Sequence, residues 1–176
     1  MGYNEKELVR RLKKKSTQNE AFRELINLYK EPLYFHIRRM VGNHDDADDV
    51  LQNTFVKAWR FIGDFKEEAK LYTWLYRIAS NEALGFLRAQ KARPSGDFRV
   101  ENQSAVSTDG PDGDIISKRL EAALRKLPDK QRQVFDLKYF SELKYSEISE
   151  ITGTSVGALK ASYFHAVKKI EVFLKS

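Results

Sequence analysis

Three groups of residues have types and spacings that could do chemistry. The first is acidic: Asp45, Asp46, Asp48 and Asp49, with His44 beside them. Carboxylates with an imidazole can hold a divalent cation, and a metal-dependent nuclease would need such a cluster. Neighbouring residues at a helix start diverge in direction, and no second ligand cluster accompanies them, so no metal site is assigned. Carboxylates in a first helical turn oppose the positive end of the helix dipole, which explains most of the cluster. The second group is Tyr72, Trp74 and Tyr76, followed by Arg77, Arg88, Lys91 and Arg93. So many large rings in one short segment exceed what a small core needs. Rings on which bases stack, beside cations that hold phosphates, are what single-stranded nucleic acid requires. The third group is Ser155, Gly157, Lys160, Ala161, Phe164, His165 and Lys168. A lysine there can donate to guanine O6 and N7, or to a phosphate.

The third group needs two short helices to position it. Ile148 and Ile151 are spaced as one helical turn, and Gly153 can take the left-handed conformation that ends a helix. Ser155 is a good N-cap for a second helix. In that helix Val156, Leu159, Tyr163, Ala166, Val167 and Ile170 share one face. Lys160, Ala161, Phe164, His165 and Lys168 lie opposite. A solvated amphipathic helix would also carry lysines outside, but it would not favour Phe164 and His165 there. Gly157 in the first turn costs roughly 1 kcal/mol against Ala, and its missing side chain lets a phosphate approach the helix N-terminus. The pattern predicts a DNA-binding helix-turn-helix.

The chain has 176 residues, enough for one compact domain or two small ones. Its 41% hydrophobic content supports a packed core. There is no cysteine, which excludes disulfides and thiolate metal sites and fits a reducing cytoplasm. No apolar run resembles a signal peptide or a membrane span. A formal net charge of +6 points to an acidic partner, nucleic acid being the commonest.

In chain order, Asn4 and Glu7 form a capping-box pattern ahead of Leu8, Val9 and Leu12. A longer helix begins at Asn19, and Pro32 is expected to kink or split it before Gly42 and Asn43 close it. The acidic cluster opens the next helix, with Val50, Leu51, Thr54, Phe55, Ala58, Trp59 and Ile62 at helical spacing. A polar loop covers 63–70. The alternating rings of 72–76 would suit a strand, but Trp74, Leu75, Ile78 and Ala79 also fit a helix, as do the neighbours. A separate basic helix is expected from Asn81 to Arg93. Residues 94–113 are poor in large apolar side chains and read as a mobile linker. Beyond it, Ile115, Ile116, Leu120, Leu124 and Leu127 form an amphipathic helix, broken at Pro128. The expected fold is all-α: a helical domain over 1–93, a flexible linker over 94–113, and a helix-turn-helix domain over 114–176.

Three stretches resemble the small, extracytoplasmic-function (ECF) sigma factors of bacterial RNA polymerase. Asp48–Trp59 is similar to the helix with which that family docks on core polymerase. Tyr72–Asn81 is similar to its promoter-melting segment. Leu127–Phe135, with the helix-turn-helix, is similar to its second domain. The resemblance implies roles that spacing alone does not supply. Asp48, Asp49, Gln52 and Asn53 would contact the clamp helices of the largest polymerase subunit. A loop around Asn81 would capture a flipped base of the minus-ten element, with Arg88, Lys91 and Arg93 on a basic helix beside that DNA. Lys160, Ala161, Ser162, Phe164 and His165 would read the minus-thirty-five element. The linker would thread toward the polymerase active-site channel. An anti-sigma partner is also implied; catalysis and cofactors are not.

The chain departs from the family pattern in places. Asn53 stands where the family usually has Glu, and Ser162 and His165 replace two frequent arginines. Lys144 takes a frequent Ser cap position, which predicts loss of a capping box. The competing reading is a helix-turn-helix regulator that is not a polymerase subunit. It would explain residues 145–170 but not the aromatic and basic segment.

Overall fold

Local sequence starts each helix of the first half. The computed structural model describes residues 2–94 and 111–176. Helix α1 (Glu5–Lys13) opens where the Asn4 side chain accepts the Glu7 N–H at 3.2 Å. Helix α2 spans Gln18–Val41 and ends at Gly42, whose φ of 97° is left-handed. Helix α3 (His44–Phe61) opens on Asn43, which accepts the Asp46 N–H at 2.8 Å. A 3-10 turn, Ile62–Asp64, and an irregular stretch lead to α4 (Leu71–Lys91).

Two expectations fail here. Helix α2 runs unbroken through Pro32. Proline removes one N–H and frees the carbonyl four residues earlier, that of Leu28. Pro32 and Leu28 both face solvent, so water can satisfy that carbonyl. On the opposite side Leu25, Leu33, Ile37 and Met40 are fully buried and hold both segments in one line. Likewise, the aromatic segment and the basic segment are one helix. Asn81 lies in the middle of α4, so it marks neither a junction nor a loop.

Helices α2, α3 and α4 pack on one another, and α1 packs on α2. Their core includes Leu8, Leu12, Leu25, Ile37, Val50, Phe55, Ala58, Leu75 and Ala79.

The second half comprises α5 (Pro111–Arg125), α6 (Asp129–Phe135), a π turn (Asp136–Phe140), α7 (Tyr145–Thr152) and α8 (Val156–Lys175). Most of the segment expected as a linker lies outside the described residues, and α5 already begins at Pro111. Gly153 (φ 72°) terminates α7 in the left-handed conformation, and Ser155 caps α8 by accepting the Ala158 N–H at 3.3 Å. A lysine side chain offers no acceptor, so at Lys144 only half of a capping box forms. Glu147 accepts the Lys144 N–H at 3.1 Å.

The second half divides its apolar residues between two clusters. Ala123, Leu124, Leu127, Phe135, Ala166 and Ile170 form a small core of their own. Val134, Leu137, Leu143, Ile148, Ile151 and Leu159 instead join the core of the first half. The helix-turn-helix therefore sits against α4 rather than apart from it.

Candidate functional site

Helix α3 turns an open face to solvent. Asp48, Asp49, Gln52 and Asn53 are all exposed. Val56, Trp59 and Phe61 continue that exposed surface with apolar area. Helical periodicity produces this face, because Ala47, Val50, Thr54, Phe55 and Ala58 point inward. Trp59 is held edge-on against Phe22 at 5.0 Å, so its ring is fixed although part of it meets solvent. Asp48 also lies 3.2 Å from His44 Nε2, and Tyr34 bonds the other nitrogen of that imidazole.

Helix α4 presents its basic residues to solvent. Arg77, Asn81, Arg88 and Lys91 are exposed, as is Arg93 just beyond the helix end. The rings behave differently from expectation. Tyr76 is buried at 6% exposure, tilted against His36 with ring centres 5.4 Å apart. It is a core ring and has no free face for a base. Trp74 is half-buried on Phe65, at 5.3 Å. Tyr72 is half-buried too, and its hydroxyl donates to Glu147 of α7. Burial, together with the Glu147 carboxylate, pushes the Tyr72 phenol up to about 12. Burial acts to raise the Glu147 carboxyl as well. The Tyr72 hydroxyl, the Lys144 N–H and the charges of Lys70 and Lys144 outweigh that, and hold it below its ordinary value.

Helix α8 exposes Gly157, Lys160, Ala161, Phe164, His165 and Lys168, with Ser155 exposed at its cap. Leu159, Ala166 and Ile170 are buried beneath them. Aromatic rings steady two of the cations. Lys160 Nζ lies 5.8 Å from the Tyr145 ring centre, and Lys168 Nζ lies 5.5 Å from that of Phe164. Ser162 is half-buried, turned toward α4. It lines a cavity of about 300 Å3 together with Asn81, Leu84, Lys130, Gln133 and Ala158. Asn81 and Ser162, from different helices and different halves, thus face one space.

Both halves of the chain match known proteins. Residues 25–93 match the model of Sigma-70 region 2, and residues 117–170 match that of Sigma-70, region 4. The ECF RNA polymerase sigma factor SigW of Bacillus subtilis is 35% identical over 158 residues, covering 83% of this chain and 84% of that protein. The chain belongs to the ECF sigma factors. The ECF RNA polymerase sigma-E factor of Haemophilus influenzae is 32% identical to this sigma factor, covering 86% of each chain. Among solved structures, the sigma factor RpoE in complex with the anti-sigma factor NepR, from Bartonella quintana, matches with a TM-score of 0.74 and 25% identity. It covers 88% of this chain and 96% of that one. CnrH in complex with the cytosolic domain of CnrY shares the fold at a TM-score of 0.74 and 24% identity, covering 97% of both chains.

Several polar residues of this sigma factor carry no local sequence signal. His36 and Asp136 are both buried, in contact although far apart in the chain. Arg39 also bonds Asp136, and its guanidinium lies 4.4 Å from the centre of the Phe140 ring. Arg132 donates to the Met40 carbonyl at 2.7 Å, and its burial lowers the guanidinium pKa. A buried acid facing a buried imidazole has no period or motif. The nearest sequence clue is that each interrupts an otherwise apolar helix face. Among the described residues, no group of three or more His, Cys, Asp or Glu could hold a metal ion, and no helix is long and apolar enough to cross a membrane.

Proposed function

We propose that the three surfaces divide the work of transcription initiation. The outer face of α3 docks on the clamp helices of the largest polymerase subunit through Asp48, Asp49, Gln52 and Asn53, with Val56 adding apolar contact. Helix α4 engages the minus-ten region through Tyr72, Trp74, Arg77, Asn81, Arg88, Lys91 and Arg93. Mid-helix placement suits Asn81 to contacting a displaced strand from the helix flank. Helix α8 reads the minus-thirty-five element through Lys160, Ala161, Ser162, Phe164, His165 and Lys168, with Ser155 and Gly157 at the phosphate-facing end. Residues 1–93 thus dock and open DNA, 94–113 connect, and 114–176 recognise the upstream element. The chain acts in the cytoplasm and does no bond chemistry of its own. Its RpoE and CnrH neighbours are seen with partner proteins. An anti-sigma partner is therefore part of this proposal.

The observation that carries the proposal is the α3 face, where four polar side chains and a strip of apolar surface stay open together. An ordinary DNA-binding regulator has no use for it. The test is reconstituted transcription with core polymerase and the purified chain on a library of promoter fragments. Chain-dependent initiation is expected, with Asp49→Arg abolishing it and sparing duplex DNA binding. DNA binding without any affinity for core polymerase would overturn the proposal.

A further inference from the structure

A cavity of about 310 Å3 lies away from every surface assigned above. The last turns of α2 and the Gly42 cap form one side of it, and α5 with the end of the π turn forms the other. Its apolar walls are Phe35 of α2, Leu120 and Leu124 of α5, and Phe140. Arg38, Arg39 and Arg125 add three guanidinium groups, and Glu121 is the one carboxylate among the described lining residues. Helical spacing produces this mixture. Leu120 and Leu124 are four residues apart, as are Glu121 and Arg125, so an apolar row and a charged row run side by side along α5. On α2, Phe35 shares a side with Arg38 and Arg39 at the same spacings of three and four. Leu124 and Arg38 form the floor, at 5% and 8% exposure. The side chains of Arg125 and Glu121 keep 36% and 31% of their surface open and form the mouth.

The cations crowd one another. Burial lowers the Arg125 pKa; Glu121 acts to raise it, and the nearby charge of Arg38 lowers it further. Glu121 holds Arg125 loosely, with 3.5 Å between nitrogen and oxygen. Arg39 bonds Asp136 and lies 4.4 Å from the centre of the Phe140 ring. A guanidinium carries five N–H donors in a fixed fork. Each arginine can therefore keep its present contacts and still turn donors toward another pair of oxygens. The C-terminal end of α2 contributes roughly half a negative charge. That and Glu121 are outnumbered by three cations. Like charges gathered beside apolar walls favour an anion, whose arrival relieves their repulsion.

We infer that this cavity binds a small carboxylate with an apolar body. The head sits between Arg38 and Arg125, and the body lies against Leu120, Leu124, Phe35 and Phe140. A carboxylate accepts two parallel N–H bonds from one guanidinium, which fixes the direction of the head. At about 30 Å3 for each water-sized group, the cavity holds roughly ten non-hydrogen atoms. That is the small end of ligand cavities, where a few polar groups orient a mostly apolar molecule. A nucleotide exceeds this size and brings more polar surface than these walls can satisfy. Acyl and aryl bodies both fit the chemistry. Boundaries between packed substructures are where such sites concentrate. The inference is independent of the roles given to α3, α4 and α8, because no residue assigned there lines the cavity.

The test titrates the full chain by calorimetry, at constant ionic strength, with two probes of that size, octanoate and phenylacetate. Saturable one-to-one binding of at least one probe is expected, and the tighter of the two identifies the body as acyl or aryl. 1-Octanol lacks the charge and acetate lacks the body, so each should bind at least about tenfold more weakly. Arg125→Met should weaken carboxylate binding by about tenfold and leave octanol binding unchanged. Glu121→Gln should strengthen carboxylate binding several-fold, because the competing carboxylate is gone. Leu120→Trp should fill the cavity and abolish binding. The two charge variants sit at the mouth and decide the matter even if Leu120→Trp does not fold. No saturable binding of either probe up to millimolar concentration overturns the inference. So does octanol binding as tightly as octanoate, which would leave an apolar cleft of the kind a protein segment covers. Binding that neither Arg125→Met nor Glu121→Gln alters overturns it as well, since the ligand would then sit elsewhere.

Discussion

The two halves are both helical but bury their helices differently. In the first, α2, α3 and α4 enclose a core whose members Leu25, Leu33, Ile37, Leu75 and Ala79 are fully buried. In the second, α5, α6 and α8 share only a small cluster, while α7 and the start of α8 lend Ile148, Ile151 and Leu159 to the other half. The larger core is centred on the first half, and the second half completes it as well as its own small cluster. On the assignment proposed above, the reader of the upstream element belongs to the part whose packing depends on the other half, whereas the docking face and the minus-ten helix belong to the part with the larger core. Loosely held elements are the ones that conformational change draws upon.

The largest effect should come from the shared core. Leu75→Ala removes a fully buried side chain of α4, and about 2–5 kcal/mol of stability should go with it. Urea titration should show both halves melting earlier. Leu124→Ala, in the small cluster, should cost less and disturb α5 and α8 first. Equal and global losses would break the asymmetry drawn here. Next in size is a binding effect. Lys160→Ala should weaken capture of the upstream element by about 1–3 kcal/mol if the lysine reads a base. Opening on a pre-melted template should survive, as permanganate footprinting would show. Loss of reactivity on the pre-melted template would join the two readers into one function.

A smaller effect compares two caps of one design. Asn43→Ala and Ser155→Ala each remove a side-chain acceptor at a helix start, and each should cost about 1 kcal/mol of stability. Only the Ser155 change should also weaken DNA binding. If both or neither do, the cap of α8 has no place in the DNA-reading surface. The smallest effect concerns pH. Glu147 is held below its ordinary value of 4.5, so its contribution is complete above that pH and is lost as pH falls through the lowered folded value. Tyr72→Phe removes one of the groups that hold it down. The Glu147 titration, followed by carboxyl carbon resonance, should move upward, and the acid edge of the stability profile with it. An unmoved titration would remove Tyr72 from the contact.

What could be read from the sequence was local. Asn4, Asn43 and Ser155 start helices through atoms within three residues of themselves, so their roles needed no tertiary knowledge. The exposed rows on α3 and α8 follow from one helical period. Misreadings arose where a distant partner decided the outcome. Tyr76 looks like a free ring until His36 is seen to cover it. Pro32 looks like a break until buried leucines on both sides hold the axis straight. Asn81 looks like a boundary because the composition changes there, whereas Ala79, Ala83 and Leu87 continue one buried stripe through it. The pairing of His36 with Asp136 spans the two halves, and no window of sequence contains both.

The turn at Asp136–Phe140 has a consequence for chain length. A π turn carries one more residue than the α turn it replaces, and each residue of an α-helix advances the chain by about 100°. Deleting the exposed Tyr139 would let α6 continue as an ordinary helix and swing α7 and α8 through roughly a quarter of a revolution. Ile148 and Glu147 would then face away from α4, although no side chain of either had been altered. In this stretch the count of residues acts as a phase setting between the halves. Conservative replacements there should be tolerated where single insertions or deletions are not.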